Sequence, residues 1–193
     1  MLKGKTVVLG VTGCIAAYKA CEIVSSLKKK GATVIVIMTP HSTEFVQPLS
    51  FETLSGNRVI TDLFDRDFDF EVEHVALAKR ADVFVVAPAT ANTIGKIANG
   101  IADDMLTTTI MACKAPKIIC PAMNTNMYEN ENTTENIARL KKQGYKIIEP
   151  ISGRLACGDV GKGKMAEPET IVKAIEDILT PNQDFEGVRM LIT

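Results

Sequence analysis

Short apolar runs alternating with stretches of helical period constrain this chain more than any other feature. Thr6 to Gly10, Thr33 to Met38, Val83 to Ala87, Lys117 to Cys120 and Lys146 to Glu149 read as strands. The first intervening helix is legible in Ile15, Ala16, Tyr18, Lys19, Ile23, Val24 and Leu27, which mix apolar and charged positions at helical period. It runs out in Lys28-Lys29-Lys30-Gly31, and cations followed by glycine are the pattern of a helix C-terminus. Continuous apolar strands joined through helices imply a parallel sheet covered on both faces, with right-handed crossovers. The expected fold is therefore α/β and doubly wound, a Rossmann-like or flavodoxin-like parallel sheet with helices on both faces.

The 193 residues are 46% hydrophobic, enough for one well-buried α/β domain and too few for two ordinary ones. A net charge of -1, with scattered cations and anions, offers no broad basic face, so neither nucleic acid nor a membrane surface is an expected partner. The apolar run Thr6 to Leu9 is short and enters a glycine turn, unlike a secretion signal. No segment approaches the roughly 18 apolar residues needed to span a bilayer. The five cysteines, at 14, 21, 113, 120 and 157, form no CxxC pair and no Cys/His cluster. That pattern implies neither a metal site nor a disulfide framework, and it fits a reducing, cytoplasmic setting.

In doubly wound sheets ligands bind beyond the carboxyl ends of the strands, near the point where strand order reverses. The unusual segments all fall there. Gly10-Val11-Thr12-Gly13-Cys14-Ile15 follows the first strand, Thr39 to Ser42 the second, Pro88 to Thr93 the third and Pro121 to Met127 the fourth. The two glycines of the first turn allow backbone N–H groups to face a phosphate, or else simply allow tight packing. A full dinucleotide fingerprint is missing, because Thr12 stands where its second glycine belongs and the second strand ends in Met38-Thr39-Pro40 without an acid. The turn thus points away from NAD and toward a mononucleotide. Thr90 suits a helix cap, and Asn124 suits either a cap or a pocket amide set between Met123 and Met127. His74 precedes the apolar residues Val75 to Ala78, at the expected start of a helix, where the helix's positive end favours a neutral imidazole. His41 is expected to be a pocket neighbour or a surface residue. The glycine-rich stretch from Gly153 to Gly163 reads as a mobile connection of the kind that serves as a lid.

Three separated motifs, Pro88-Ala89-Thr90-Ala91-Asn92-Thr93, Pro121-Ala122-Met123-Asn124-Thr125-Asn126-Met127 and Leu155-Ala156-Cys157-Gly158, occur in that order. Together they resemble the homo-oligomeric flavin-containing cysteine decarboxylases, in particular those acting on phosphopantothenoylcysteine in coenzyme A biosynthesis. The resemblance runs from about Lys5 to about Leu179. It implies that Gly13, Cys14, Ile15 and Thr39 hold the phosphate and ribityl chain of FMN, with Thr90, Ala91, Asn92, Thr93 and Ala122 along the flavin. Cys14 stands where relatives often have Ser or Gly, so its backbone N–H is the expected contact. The resemblance makes His74 and Cys157 the catalytic residues, and it makes Asn124, Met127 and Ala156 the residues that bind substrate. Relatives commonly have Arg where Lys164 stands, which removes a bidentate phosphate grip there.

The implied reaction oxidises the thiol-bearing carbon to a thioaldehyde, loses CO2 to give an ene-thiolate, and returns the electrons with a proton from Cys157. It is redox-neutral and converts 4'-phosphopantothenoylcysteine to 4'-phosphopantetheine. The alternatives are a decarboxylase of peptidyl cysteine and a flavin-binding regulatory subunit; a flavin prenyltransferase lacks these motifs. The resemblance further implies a homotrimer or dodecamer with a small phosphorylated cysteine conjugate as ligand. It makes residues 1–180 the decarboxylase domain, and 181–193 a linker and the opening strand of a ligase domain.

Overall fold

The computed structural model describes residues 2–63, 73–154, 158 and 160–180. Five parallel strands, β1 (Thr6–Val11), β2 (Thr33–Met38), β3 (Val83–Ala89), β4 (Lys117–Pro121) and β5 (Lys146–Ile147), form one sheet in the order β2-β1-β3-β4-β5. Val7 of β1 is flanked by Val34 and Val83, and the order reverses beside β1. This is the flavodoxin-like arrangement, whose binding crevice opens at the switch between β1 and β3. The α-helices among the described residues are α1 (Ala17–Lys29), α2 (Pro48–Ser55), α3 (Glu73–Arg80), α4 (Ala91–Asn99), α5 (Met105–Ala112), α6 (Thr125–Glu129), α7 (Glu131–Lys142) and α8 (Pro168–Leu179).

Because successive strand residues point to opposite faces, the apolar runs feed two cores. Val7, Leu9, Val34, Val36, Val83, Val85 and Ile118 pack with Ala20, Ile23, Val24 and Leu27 of α1 and with Ile171 and Ile175 of α8. On the other face Val8, Ile37, Phe84, Val86 and Ile119 meet Leu77 of α3, Ile94 of α4, Leu106 and Ile110 of α5 and Leu140 of α7. All seven residues of β3 are buried, the expected condition of a central strand covered on both sides. Each fully buried Leu, Ile or Val contributes about 1.5–3 kcal/mol, so Leu27→Ala at 0% exposure would cost about 2–5 kcal/mol.

Four boundaries differ from the sequence reading. β3 continues through Pro88 to Ala89, with a register shift between Val86 and Ala89 because proline cannot donate to the ladder. β5 stops at Ile147: the Ile148 N–H still reaches the Ile119 carbonyl at 2.9 Å, but Pro150 offers no donor to carry the strand onward. α1 begins at Ala17 rather than Ile15, and Lys19 is buried while Ile15 and Tyr18 are more than half exposed. The described part of the glycine-rich stretch is an antiparallel hairpin, β6 (Ile151–Arg154) with β7 (Val160–Lys164), rather than an irregular connection. Residues 155–157, 159 and 181–193 lie outside the described residues, and with them the expected linker and ligase strand.

Candidate active site

The carboxyl ends of β1 and β3 are tied together by a single buried hydroxyl. Thr12 Oγ1 donates to the Pro88 carbonyl at 2.8 Å and accepts from the Thr90 N–H at 3.1 Å. Thr90 is then free to cap α4, its Oγ1 accepting from the Thr93 N–H at 3.3 Å and donating to Thr93 Oγ1 at 3.2 Å. The helix-cap reading of Thr90 is therefore realised, and it fixes the first turn of α4, with Ala91 and Asn92, against the β1 turn. At that turn Gly13 lies directly under His41, where a Cβ would fall 2.7 Å from the His41 Cβ. Any larger residue at 13 would push the 3-10 turn Pro40–Ser42 off the β1 loop. Thr39 is buried at the end of β2, its carbonyl occupied by the Ser42 N–H and hydroxyl at 2.9 and 2.7 Å.

A cavity of about 320 Å³ opens beside this clamp, between the start of α1 and the loop after β4. Cys14, Ile15, Ala122 and Asn124 line it, joined by Tyr18, Lys19, Met123, Arg154, Lys164 and Met165. α1 has no side-chain cap at Ala16 and no acid in its first turn, so the helix start faces the cavity as a positive end without a competing anion. Burial raises the Cys14 thiol above its ordinary value, only partly offset by a hydrogen bond with the Ala16 backbone. Cys14 is accordingly a neutral thiol rather than a thiolate nucleophile. Asn124 caps α6, its Oδ1 accepting from the Asn126 N–H at 2.8 Å, and the same residue borders the cavity.

The hairpin forms the outer wall because two of its glycines allow it to lie directly on the β4 loop. The Met123 N–H donates to the Gly163 carbonyl at 3.0 Å. A Cβ on Gly163 would overlap the Met123 carbonyl oxygen, and one on Gly161 would overlap the Thr125 side chain. The outer side of the hairpin is fastened by Glu149, which accepts from Lys141 at 2.8 Å, from Lys162 at 3.0 Å and from the Tyr128 hydroxyl. Lys162 also lies 5.2 Å from the centre of the Tyr128 ring. Burial pushes the Glu149 carboxyl up, but the bonds from Lys141, Tyr128 and Lys162 outweigh it and hold the group down at about 2. The Tyr128 hydroxyl is pushed upward by burial and by the Glu149 charge.

Four of the sequence-derived site residues therefore meet at one cavity: Cys14, Ile15, Ala122 and Asn124. Gly13, Thr39, Thr90, Ala91, Asn92 and Thr93 lie at the adjacent strand ends without lining it. Met127 is half-exposed on α6, and His74 is the second residue of α3; neither lines the cavity. Ala156 and Cys157 lie outside the described residues. Sequence reasoning missed Thr12 as a clamp, along with Lys19, Arg154 and Met165. A signal for Lys19 existed, since it stands four residues before Ile23 on the buried stripe of α1.

Among the described residues, no helix is long and apolar enough to cross a membrane, and no cluster of His, Cys, Asp and Glu could hold a metal ion. The family model described as Flavoprotein matches residues 1–180. The coenzyme A biosynthesis bifunctional protein CoaBC of Bacillus subtilis is 49% identical over 195 residues, covering all of this chain and 48% of that protein. The chain thus spans about half the length of the bifunctional relatives it matches. A probable phosphopantothenoylcysteine decarboxylase of Streptococcus mutans is 47% identical over 177 residues, covering 91% of this chain and 99% of that protein. Among solved structures, a PPC decarboxylase mutant complexed with pantothenoylaminoethenethiol superposes with a TM-score of 0.78 at 35% identity, over 89% of this chain and 96% of the other. With its switch-point cavity and its match over nearly the whole length, the chain belongs to the flavoprotein family.

Proposed function

We propose that this chain is an FMN-dependent phosphopantothenoylcysteine decarboxylase, forming 4'-phosphopantetheine and CO2 within cytoplasmic coenzyme A biosynthesis. The observation that carries this reading is the convergence of Cys14, Ile15, Ala122 and Asn124 on one cavity at the sheet's switch point. Two further facts support it: the likeness to the Streptococcus mutans decarboxylase, and the donor chemistry of the site. An uncapped, acid-free helix start suits a phosphate, and the apolar wall of Tyr18, Met123 and Met165 suits a flat ring system. These residues fit FMN.

Gly13, Cys14, Ile15 and Thr39 hold the phosphate and ribityl end in this reading, with Thr90, Ala91, Asn92, Thr93 and Ala122 toward the ring. Bound FMN supplies a two-electron acceptor and donor, which provides the electron sink that an unactivated cysteinyl carboxylate lacks. Asn124 orients that carboxylate with a neutral amide, avoiding a fixed cation that would stabilise the ground-state charge. Its acceptor oxygen is already committed to the Asn126 N–H, so it meets the substrate as a side chain held in one orientation. The methionines Met123 and Met165, with Tyr18, exclude water from the reacting carbon. His74 is assigned as the base and Cys157 as the donor that returns a proton to the substrate carbon. The proposed assembly is a homotrimer or dodecamer, which suits the position of His74 on α3, off the cavity of its own chain.

The test is mass spectrometry of the purified protein, supplied with FMN and incubated with 4'-phosphopantothenoylcysteine. Formation of 4'-phosphopantetheine without added oxidant or reductant is the expected result. Absence of conversion by flavin-loaded protein would reject the assignment.

A further inference from the structure

Two carboxylates flank the β6–β7 hairpin in the chain, and each bridges a lysine of the hairpin to a lysine of the body. Glu149, just ahead of β6, takes Lys162 of β7 and Lys141 of α7. Glu167, just beyond β7, takes Lys164 of β7 at 3.2 Å and Lys19 of α1 at 2.7 Å. The second bridge belongs to the cavity, because Lys19 and Lys164 line it while Glu167 itself does not. Each Glu167 oxygen is engaged by one lysine, Oε2 by Lys19 and Oε1 by Lys164. Those bonds, led by that from Lys19, hold the carboxyl below the usual carboxylate range.

The carboxylate is presented from a fixed place. Glu167 is the N-cap residue of α8, yet its side chain makes no capping bond, and Pro168 presets the first turn instead. Met165 and Ala166 before it, and Ile171 and Ile175 after it, are buried. We propose that Glu167 is a positioning residue for the cavity: by joining Lys164 to Lys19 it sets how close the inner end of β7 stands to the start of α1. Lys19 is the fixed end of this bridge, buried on a helix whose Ile23 and Val24 pack in the core. Lys164 is the adjustable end, its side chain 42% exposed. Arg154, Gly163 and Met165 line the same wall and are set with it. The effect on turnover rests on the decarboxylase reading, whereas the effect on the hairpin does not.

The test is Glu167→Gln in the full chain supplied with FMN, read first by amide exchange. The Met123 N–H, bonded to the Gly163 carbonyl, reports attachment of the hairpin, and the Phe84 N–H, bonded to the Pro116 carbonyl at 2.9 Å, reports the sheet. Exchange at Met123 is expected to rise about threefold or more while Phe84 is unchanged. Lys19→Met cuts the same bridge at α1 and should act alike; the double variant should go no further, since the second change finds the bridge already broken. Lys19→Arg, which keeps the cation, should restore the parent rate. With 4'-phosphopantothenoylcysteine, the KM of Glu167→Gln should rise by a similar factor and kcat stay within about twofold. Unchanged exchange at Met123, additive effects of the two substitutions, or an equal rise at Phe84 would overturn the anchor. A fall in kcat at constant KM would overturn the positioning role. A parent without turnover whose Met123 exchange still responds to Glu167→Gln would reject the decarboxylase assignment and uphold the anchor.

Discussion

The Thr12 hydroxyl donates to the Pro88 carbonyl at 2.8 Å and accepts from the Thr90 N–H at 3.1 Å, so one side chain joins the ends of β1 and β3 where the strand order reverses. Thr12 is 1% exposed, and its loss leaves two backbone groups without partners. Thr12→Val should destabilise the fold by about 1–3 kcal/mol, read by urea denaturation. Thr12→Ser should recover most of that, because it keeps the hydroxyl. Equal stability of Thr12→Val and the parent would show that the clamp is dispensable.

Gly163→Ala places a methyl against the Met123 carbonyl, which is backbone and cannot rotate away. Overpacking of this kind costs about 1–3 kcal/mol, and here the hairpin should lift from the β4 loop while the sheet stays intact. Amide exchange at Met123, whose N–H is bonded to the Gly163 carbonyl, should accelerate selectively. Gly161→Ala should be milder, since its obstacle is the rotatable Thr125 side chain.

The Glu149 carboxyl is held at about 2, against its ordinary 4.5, by Lys141, Tyr128 and Lys162. A depressed folded-state value means that its stabilising effect is complete above the unfolded value and is lost as pH falls through the folded one. The hairpin attachment should therefore weaken between about pH 4.5 and 2. Unfolding midpoints measured across that window should fall with acid in the parent and fall less steeply in Glu149→Gln. Identical slopes would remove Glu149 from the acid response.

Asn124→Asp tests cap and pocket separately. Aspartate keeps the oxygen that accepts from the Asn126 N–H, so α6 and the thermal midpoint should be preserved. In the proposed reading, however, its charge would face the substrate carboxylate, and like charges so placed cost several kcal/mol. A drop in kcat/KM of about a hundredfold or more is expected from that magnitude, and activity near the parent level would reject the carboxylate role.

Cys14 should alkylate slowly at neutral pH, because burial keeps its thiol protonated. Peptide mapping after iodoacetamide treatment should show its rate rising with pH and falling when FMN is added. Modification unaffected by FMN would move the cofactor away from the β1 turn.

The sequence alone was sufficient for the sheet, because β1 to β4 are buried on both faces and burial of that kind writes itself as unbroken apolar runs. It also placed the candidate turn residues, since a turn must follow each strand: Gly13, Thr39, Thr90 and Asn124 each lie just beyond a strand end. Tertiary structure decided which of these share a cavity, and it drew Lys19, Arg154 and Lys164 to the same wall from positions far apart in the chain. The hairpin escaped the sequence reading because its strands are held by close backbone approach at Gly161 and Gly163 and by the Glu149 bonds. Neither cause leaves a local hydrophobic period, so glycines that read as looseness turn out to be the condition for contact.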